Sequence, residues 1–210
     1  MSGLKITNLS KRFRDKIIFD NVDLNINSDD FVMLSGESGV GKTTLLNMIA
    51  GIEKPDHGSI LLDNRPINAK DVGFVFQGFY LEPDLTIAEN IELPAYFQTS
   101  TKKERSERIE ILAKVFGIKD ILKNKPSEIS GGQAERACIA RAIFNNPKII
   151  LADEPTNNLD EENAEKVLKI LKVLHDKTNV AVIVSTHDKR AEKYSTRKLQ
   201  VEGGKIHEDF

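Results

Sequence analysis

The run Gly36-Glu37-Ser38-Gly39-Val40-Gly41-Lys42-Thr43 fits the spacing G-x-x-x-x-G-K-[ST], whose residue types suit the holding of a phosphate chain. Glycines let successive backbone N–H groups turn inward on an anion without a Cβ in the way. Lys42 supplies a point charge for the outer phosphates, the Thr43 hydroxyl can ligate Mg²⁺, and Thr44 adds a donor at the start of the following helix. The flanks agree with that chemistry. Phe31-Val32-Met33-Leu34 has the composition of a buried strand, and Leu45-Leu46-Asn47-Met48-Ile49-Ala50 that of a helix, so a helix N-terminus would reinforce the binding of an anion.

Carboxylates for the same site lie far along the chain. Lys148-Ile149-Ile150-Leu151-Ala152-Asp153-Glu154 is an apolar strand ending in two acids, and in parallel α/β sheets ligands sit at the carboxyl ends of strands. Asp153 suits Mg²⁺ held through water, because that ion keeps several waters and takes one or two carboxylates. Glu154 is then free to accept a proton from an attacking water. A second candidate cradle, Ser130-Gly131-Gly132-Gln133, opens a helix and offers a hydroxyl and unencumbered backbone N–H groups. It brings no lysine and no strand edge, so it is half of a phosphate site. A second copy of the chain in a twofold dimer would complete it twice over.

The elements needed to position these groups are legible as apolar runs. Runs at Phe31–Leu34, Ile60–Leu62, Gly73–Phe76, Ile149–Ala152 and Val180–Val184 alternate with stretches of helical period, which implies an α/β core with a largely parallel sheet. The segment Leu4 to Ile26, with a turn at Arg14-Asp15-Lys16, suits an antiparallel hairpin packed at one edge. From Leu81 to about Asn146 no strand signal occurs, and Lys102–Phe116 carries Ile109, Leu112 and Phe116 on one helical face. In Glu161–His175, Ala164, Val167, Leu168, Leu171 and Leu174 stack on one side while Glu161, Glu165, Lys169 and Lys172 face water. The expected organisation is a single domain over 1–210, with a core of about 1–77 and 147–210 and a helical insertion of about 78–146.

Bulk properties narrow the function. Lys+Arg at 30 against Asp+Glu at 32 gives a formal charge of −2 without long blocks of one sign, which argues against a general nucleic-acid binder. The single cysteine, Cys138, excludes an intramolecular disulfide and fits a reducing, cytosolic setting; it is expected to pack as a small apolar residue. No apolar run reaches the roughly 18 residues of a membrane span, and the residues after Met1 lack the apolar core of a signal peptide. His57, His175 and His207 share no ligand spacing and are assigned no chemistry.

The order of Gly36–Thr44, Gln77, Ile129-Ser130-Gly131-Gly132-Gln133, Ile149–Glu154, Asn158-Leu159-Asp160 and His187 resembles the full motif set of ABC-type ATPases: Walker A, Q-loop, signature, Walker B, D-loop and switch histidine. The resemblance runs from Leu4 to Ile206 and implies a P-loop NTPase fold of that type, with an antiparallel N-terminal β subdomain and an inserted helical subdomain. It further implies ATP and Mg²⁺ as ligands. Gly36, Glu37, Ser38, Gly39, Val40, Gly41, Lys42, Thr43 and Thr44 would cradle the phosphates and Phe13 would stack on adenine. Glu154, His187 and Gln77 would serve catalysis, and Thr43, Gln77 and Asp153 would attend the metal. Ser130, Gly131, Gly132 and Gln133 would grip the γ phosphate from the opposite protomer, and Asp160 would link the two sites across the interface. Ile129 stands where the family usually has Leu, a near-isosteric change.

Within the family, Val72–Gln77 followed by Leu85–Pro94 is similar to the ATP-binding subunits of the lipoprotein-release and macrolide-export type. That likeness implies a homodimer on the inner face of the cell membrane, held there by a separate permease whose cytoplasmic helix would meet Phe79, Tyr80, Leu81 and Leu85. A soluble or cell-division-type ATPase that uses ATP as a conformational switch is the competing expectation.

Overall fold

The computed structural model describes residues 3–97, 99–157 and 159–209; Asn158, first of the Asn158-Leu159-Asp160 motif, lies outside the described residues. Strand alternation decides the architecture. In β3 (Phe31–Ser35), Phe31 and Met33 enter one core cluster and Val32 and Leu34 another. β7 (Ile149–Asp153) and β8 (Ala181–Ser185) divide the same way, Ile150, Ala152, Val182 and Val184 to one side and Ile149, Leu151, Ala181 and Ile183 to the other. Successive side chains of a strand point to opposite faces, so strands apolar at every position must be covered on both.

These strands form the centre of a six-stranded sheet of order β10-β9-β3-β8-β7-β6, where β6 is Val72–Val75, β9 Arg197–Glu202 and β10 Lys205–Asp209. The pairs β6/β7, β7/β8, β8/β3 and β3/β9 are parallel, and β10 returns antiparallel on β9. One face is covered by α2 (Ile87–Glu92), α3 (Lys102–Phe116), α4 (Gly131–Ala142) and α5 (Glu161–Thr178). The other carries α1 (Lys42–Ile49) and a second, antiparallel sheet of order β2-β1-β4-β5, where β1 is Gly3–Phe13, β2 Lys16–Asn27, β4 His57–Leu62 and β5 Arg65–Pro66.

That second sheet corrects two expectations. β1 (Gly3–Phe13) and β2 (Lys16–Asn27) do form the hairpin turning at Arg14-Asp15, but they cover a face of the parallel sheet instead of extending its edge. The run Ile60–Leu62 lies in β4 (His57–Leu62), paired with β1 through Leu4↔Leu62 and Ile6↔Ile60 and with β5 (Arg65–Pro66), not among the parallel strands. A short apolar run records burial without recording which strand lies beside it. The strand at Gly73–Phe76 ends at Val75, that at Val180–Val184 is shifted to Ala181–Ser185, and β9 and β10 were not anticipated.

Between β6 and β7 the described residues contain helices and turns and no strand. Thr101 caps α3 in a reciprocal box with Glu104, and Gly117 ends it in the left-handed conformation at φ 61°. α5 runs past His175 to Thr178 and ends at Asn179, left-handed at φ 50°; His175 is buried inward, its Nδ1 2.9 Å from Val180 O and its ring edge-on to Phe31. Asn90 of α2 is fully buried. Its Nδ2 donates to the carbonyls of Glu82 (3.1 Å), Leu85 (3.3 Å) and Thr86 (3.1 Å), and its Oδ1 accepts from Glu82 N at 2.7 Å. Asn90→Leu should therefore cost about 1–3 kcal/mol, since it strands a buried N–H and carbonyls; urea denaturation checks this, and an unchanged midpoint would refute it. No helix among the described residues is long and apolar enough to cross a membrane.

Candidate active site

Because β3, β6, β7 and β8 run parallel, their carboxyl ends meet at one edge of the sheet. A cavity of ≈ 500 Å³ opens there. Gly36, Glu37, Ser38, Gly39 and Gly41 line it from the loop after β3, Lys42, Thr43 and Thr44 from the first turn of α1, Gln77 from beyond β6, Asp153 and Glu154 from the end of β7, and His187 from beyond β8. Ile18 of β2 and Asn157 complete the wall. Segments more than a hundred residues apart in sequence are thus joined by sheet topology alone.

The loop geometry follows from its glycines. Gly36 sits at φ 141°, where a Cβ would fall 2.6 Å from Val201 O, and Gly41 at φ 122°, where a Cβ would meet Ile18 Cγ2 at 2.6 Å. Gly41 is the N-cap of α1 and makes no side-chain cap, which leaves the first-turn N–H groups of the helix for a ligand. Lys42 is largely buried, and its Nζ donates to Gly36 O (2.7 Å) and Glu37 O (3.0 Å), so the ammonium is held over the loop's own backbone.

Asp153 is buried; its Oδ2 accepts from Thr43 Oγ1 at 2.7 Å, and its Oδ1 has no hydrogen-bond partner among the described residues. A carboxylate oxygen buried without a hydrogen bond beside a hydroxyl is the donor set of a hard cation such as Mg²⁺, which takes oxygen ligands. Glu154 adopts φ 48°, a left-handed conformation that costs a non-glycine residue about 1–3 kcal/mol. Its N–H donates to Ser185 O at 2.8 Å, which ties this turn to β8. His187 is mostly exposed, and its Nδ1 stands 3.3 Å from Glu154 Oε1 and 3.1 Å from Oε2.

Several expected residues lie elsewhere. Phe13 is exposed at the end of β1 with Lys11 Nζ 4.8 Å from its ring centroid, and neither it nor Val40 lines the cavity. Ser130 is the N-cap of α4 in a reciprocal box, Gln133 N–H donating to Ser130 Oγ at 3.3 Å and Ser130 N–H to Gln133 Oε1 at 2.9 Å. Ser130, Gly131, Gly132, Gln133 and Asp160 do not line the cavity of their own chain. Asp160 caps α5, and the Asn163 amide groups hold its carboxyl below the usual carboxylate range. Farther along α4, burial pushes the Glu135 carboxyl up to about 8 and the Cys138 thiol up to about 12. Cys138 is packed in the core as expected, its Sγ donating to Phe79 O at 2.9 Å. Two wall residues, Ile18 and Asn157, lie outside the motifs; Asn157 stands three places after Glu154 in the turn that follows the acids, whereas nothing in the local pattern singles out Ile18.

A parallel sheet flanked by helices, with a glycine loop and lysine at the end of one strand and paired acids at the end of another, defines a P-loop nucleoside triphosphatase. The sequence pattern of the family described as ABC transporter matches residues 19–157. The chain belongs to this family and is an ATP-hydrolysing cassette within it. It is 35% identical to the lipoprotein-releasing system ATP-binding protein LolD of Bacteroides thetaiotaomicron, over 98% of this chain and 100% of that protein. It is 40% identical to the macrolide export ATP-binding/permease protein MacB of Mannheimia succiniciproducens, over 91% of this chain but 31% of that larger protein. Its fold superposes with a TM-score of 0.87 and 36% identity on the cassette MJ0796 of Methanocaldococcus jannaschii, solved as a dimer in a post-hydrolysis state bound to ADP and Pi, covering 98% of this chain and 97% of that one.

Proposed function

We propose that two copies of this chain close around two ATP·Mg²⁺ and that closure and hydrolysis drive a separate membrane permease. In this reading the loop Gly36–Thr44, Val40 included, cradles the phosphates of one ATP, and Phe13 offers its exposed ring to the adenine from outside the cavity. Thr43, Asp153 and Gln77 would hold Mg²⁺, whose chemistry is to neutralise charge on the outer phosphates. Glu154 accepts the proton of the attacking water, His187 is oriented on it by the Nδ1 contact, and Gln77 reports the γ phosphate to the permease. Ser130, Gly131, Gly132 and Gln133 grip the partner copy's ATP, with Asp160 at the seam.

The observation that carries this reading is a separation: the Ser130 half-site opens on the surface, away from the cavity of its own chain. Another chain must supply what each half lacks. A docking place for the permease is supported beside Gln77, where Ile52, Phe74, Phe76 and Tyr80 line a groove with Asn47. Phe74 and Phe76 are stacked, Tyr80 meets Phe76 edge-on, and Ile52 and Tyr80 are 59% and 72% exposed. Phe79 is also exposed, whereas Leu81 packs on the core. The segment 78–146 acts as the helical subdomain on the core of 1–77 and 147–210, and the assembly sits on the cytoplasmic side of the membrane. The MJ0796 dimer and the names of LolD and MacB support this reading over a soluble switch, and no nucleic acid is part of it.

Complementation tests the composite site. Chains carrying Lys42→Ala lack a working cradle and chains carrying Ser130→Arg lack a working grip, so each alone should be inactive. Mixed, they should regain ATP·Mg²⁺-dependent association and turnover through one intact site per heterodimer. A mixture as inactive as either parent, with no association, would count against a site shared between copies.

A further inference from the structure

The two half-sites of one chain lie apart, yet a continuous line of close contacts joins them. Gly132, buried at the start of α4, has the Asn163 carboxamide against it: a Cβ there would fall 2.5 Å from Asn163 Oδ1 and 2.7 Å from its Cγ. Asn163 Nδ2 donates to Asp160 Oδ2 at 2.6 Å and Asn163 N–H to Asp160 Oδ1 at 2.8 Å, which fixes the first turn of α5. In that turn Glu161 O accepts from Arg190 Nη1 at 3.2 Å. The Arg190 guanidinium is clasped by Asp188, with Nε 2.9 Å from Oδ1 and Nη2 2.7 Å from Oδ2. Asp188 follows His187 directly, its N–H donates to Thr186 Oγ1 at 3.0 Å, and His187 Nδ1 stands against Glu154.

We propose that Asn163 and Arg190 are positioning residues that tie the Ser130 half-site of a chain to His187 and Glu154 of the same chain. The proposal rests on the dimeric reading above, in which that half-site serves the partner copy's ATP while Glu154 serves the chain's own. Occupancy of one site is thereby transmitted inside each chain to the hydrolytic pair of the other. Every link is at contact or hydrogen-bond distance, so a shift of Gly132 cannot be absorbed without moving Asn163 and the cap of α5. The arginine link is directional, because a planar guanidinium held by both carboxylate oxygens of Asp188 keeps one orientation toward Glu161 O. Gly132 thus has a steric role besides leaving its backbone open to an anion: it admits Asn163. Both ends then bias the same element, and cooperativity of turnover reads that bias.

The test compares the full chain with Asn163→Ala, Arg190→Gln and Arg190→Lys. ATP turnover is followed against ATP concentration, ATP·Mg²⁺-dependent dimerisation is followed by light scattering in a Glu154→Gln background, and binding of a fluorescent ATP analogue is measured on dilute monomer. The parent should turn over with a Hill coefficient above one. In Asn163→Ala and Arg190→Gln that coefficient should fall to about one and kcat by about five- to thirtyfold, while analogue affinity of the monomer stays within about twofold. Arg190→Lys, which keeps the charge but loses the planar fork, should recover only part of the cooperativity. Variants that keep the parent's Hill coefficient overturn the proposal, whether kcat is unchanged or lowered, since a purely structural defect lowers kcat without uncoupling the sites. If the parent itself neither dimerises nor turns over cooperatively, the dimeric reading fails and the relay with it. A cooperative parent with equally cooperative variants removes the relay alone.

Discussion

Glu154→Gln should leave ATP·Mg²⁺ bound between two copies while turnover falls by about 10²–10⁴-fold, the usual contribution of a positioned general base. Glutamine matches glutamate in shape, so the left-handed turn at φ 48° and the N–H bond to Ser185 O are retained, and the amide can still meet His187 Nδ1. What the amide cannot do is accept a proton from water. The loss corresponds to roughly 3–5 kcal/mol of barrier. Single-turnover hydrolysis, together with the mass of the ATP-bound species in solution, measures both halves of the expectation. Turnover within about threefold of the parent would remove Glu154 from the role of base.

Lys42→Ala should bring ATP affinity down by about 100-fold or more. A hydrogen bond to a charged group contributes about 1.5–3 kcal/mol, and this ammonium is placed to serve more than one phosphate oxygen. The fold should survive, because Lys42 is the first residue of α1 and alanine is a good helix former there. The loop itself loses two bonds, those from Nζ to Gly36 O and Glu37 O, so part of the affinity is lost through a less ordered cradle. Calorimetric titration with ATP·Mg²⁺, read beside an unaltered far-ultraviolet circular dichroism spectrum, checks this. Unchanged affinity would mean that the cavity at the strand ends is not where nucleotide binds.

Burial left a plain record where strands are covered on both faces. Phe31–Leu34, Ile149–Ala152 and the valines around Val182 are apolar at every position because neither face meets water, and such runs need no partner to be recognised. β9 escaped notice for the opposite reason. Only Leu199 and Val201 are buried in it, and Arg197 looks like a surface charge until folding brings Asp30 Oδ2 to 2.7 Å from its Nη1. β4 was legible as a strand but not as a member of the antiparallel sheet, because the neighbour that claims it, β1, is some fifty residues away.

The chemistry of the cradle is written in the chain, for it depends on residue types at fixed local spacing: glycines free to reach φ 122° and 141°, a lysine and the hydroxyls of Thr43 and Thr44, with the adjacent acids Asp153 and Glu154 legible in the same way at the end of their own apolar run. The chain equally shows that the Ser130 half-site brings no lysine of its own. That Thr43 meets Asp153, that Ile18 walls the cavity, that Phe13 stays outside it and that Asn163 rests on Gly132 emerges from folding alone. These are contacts between segments distant in the chain, set by strand order and register. Local spacing fixes what a backbone can hold, whereas packing over the whole sheet fixes which distant side chains arrive beside it.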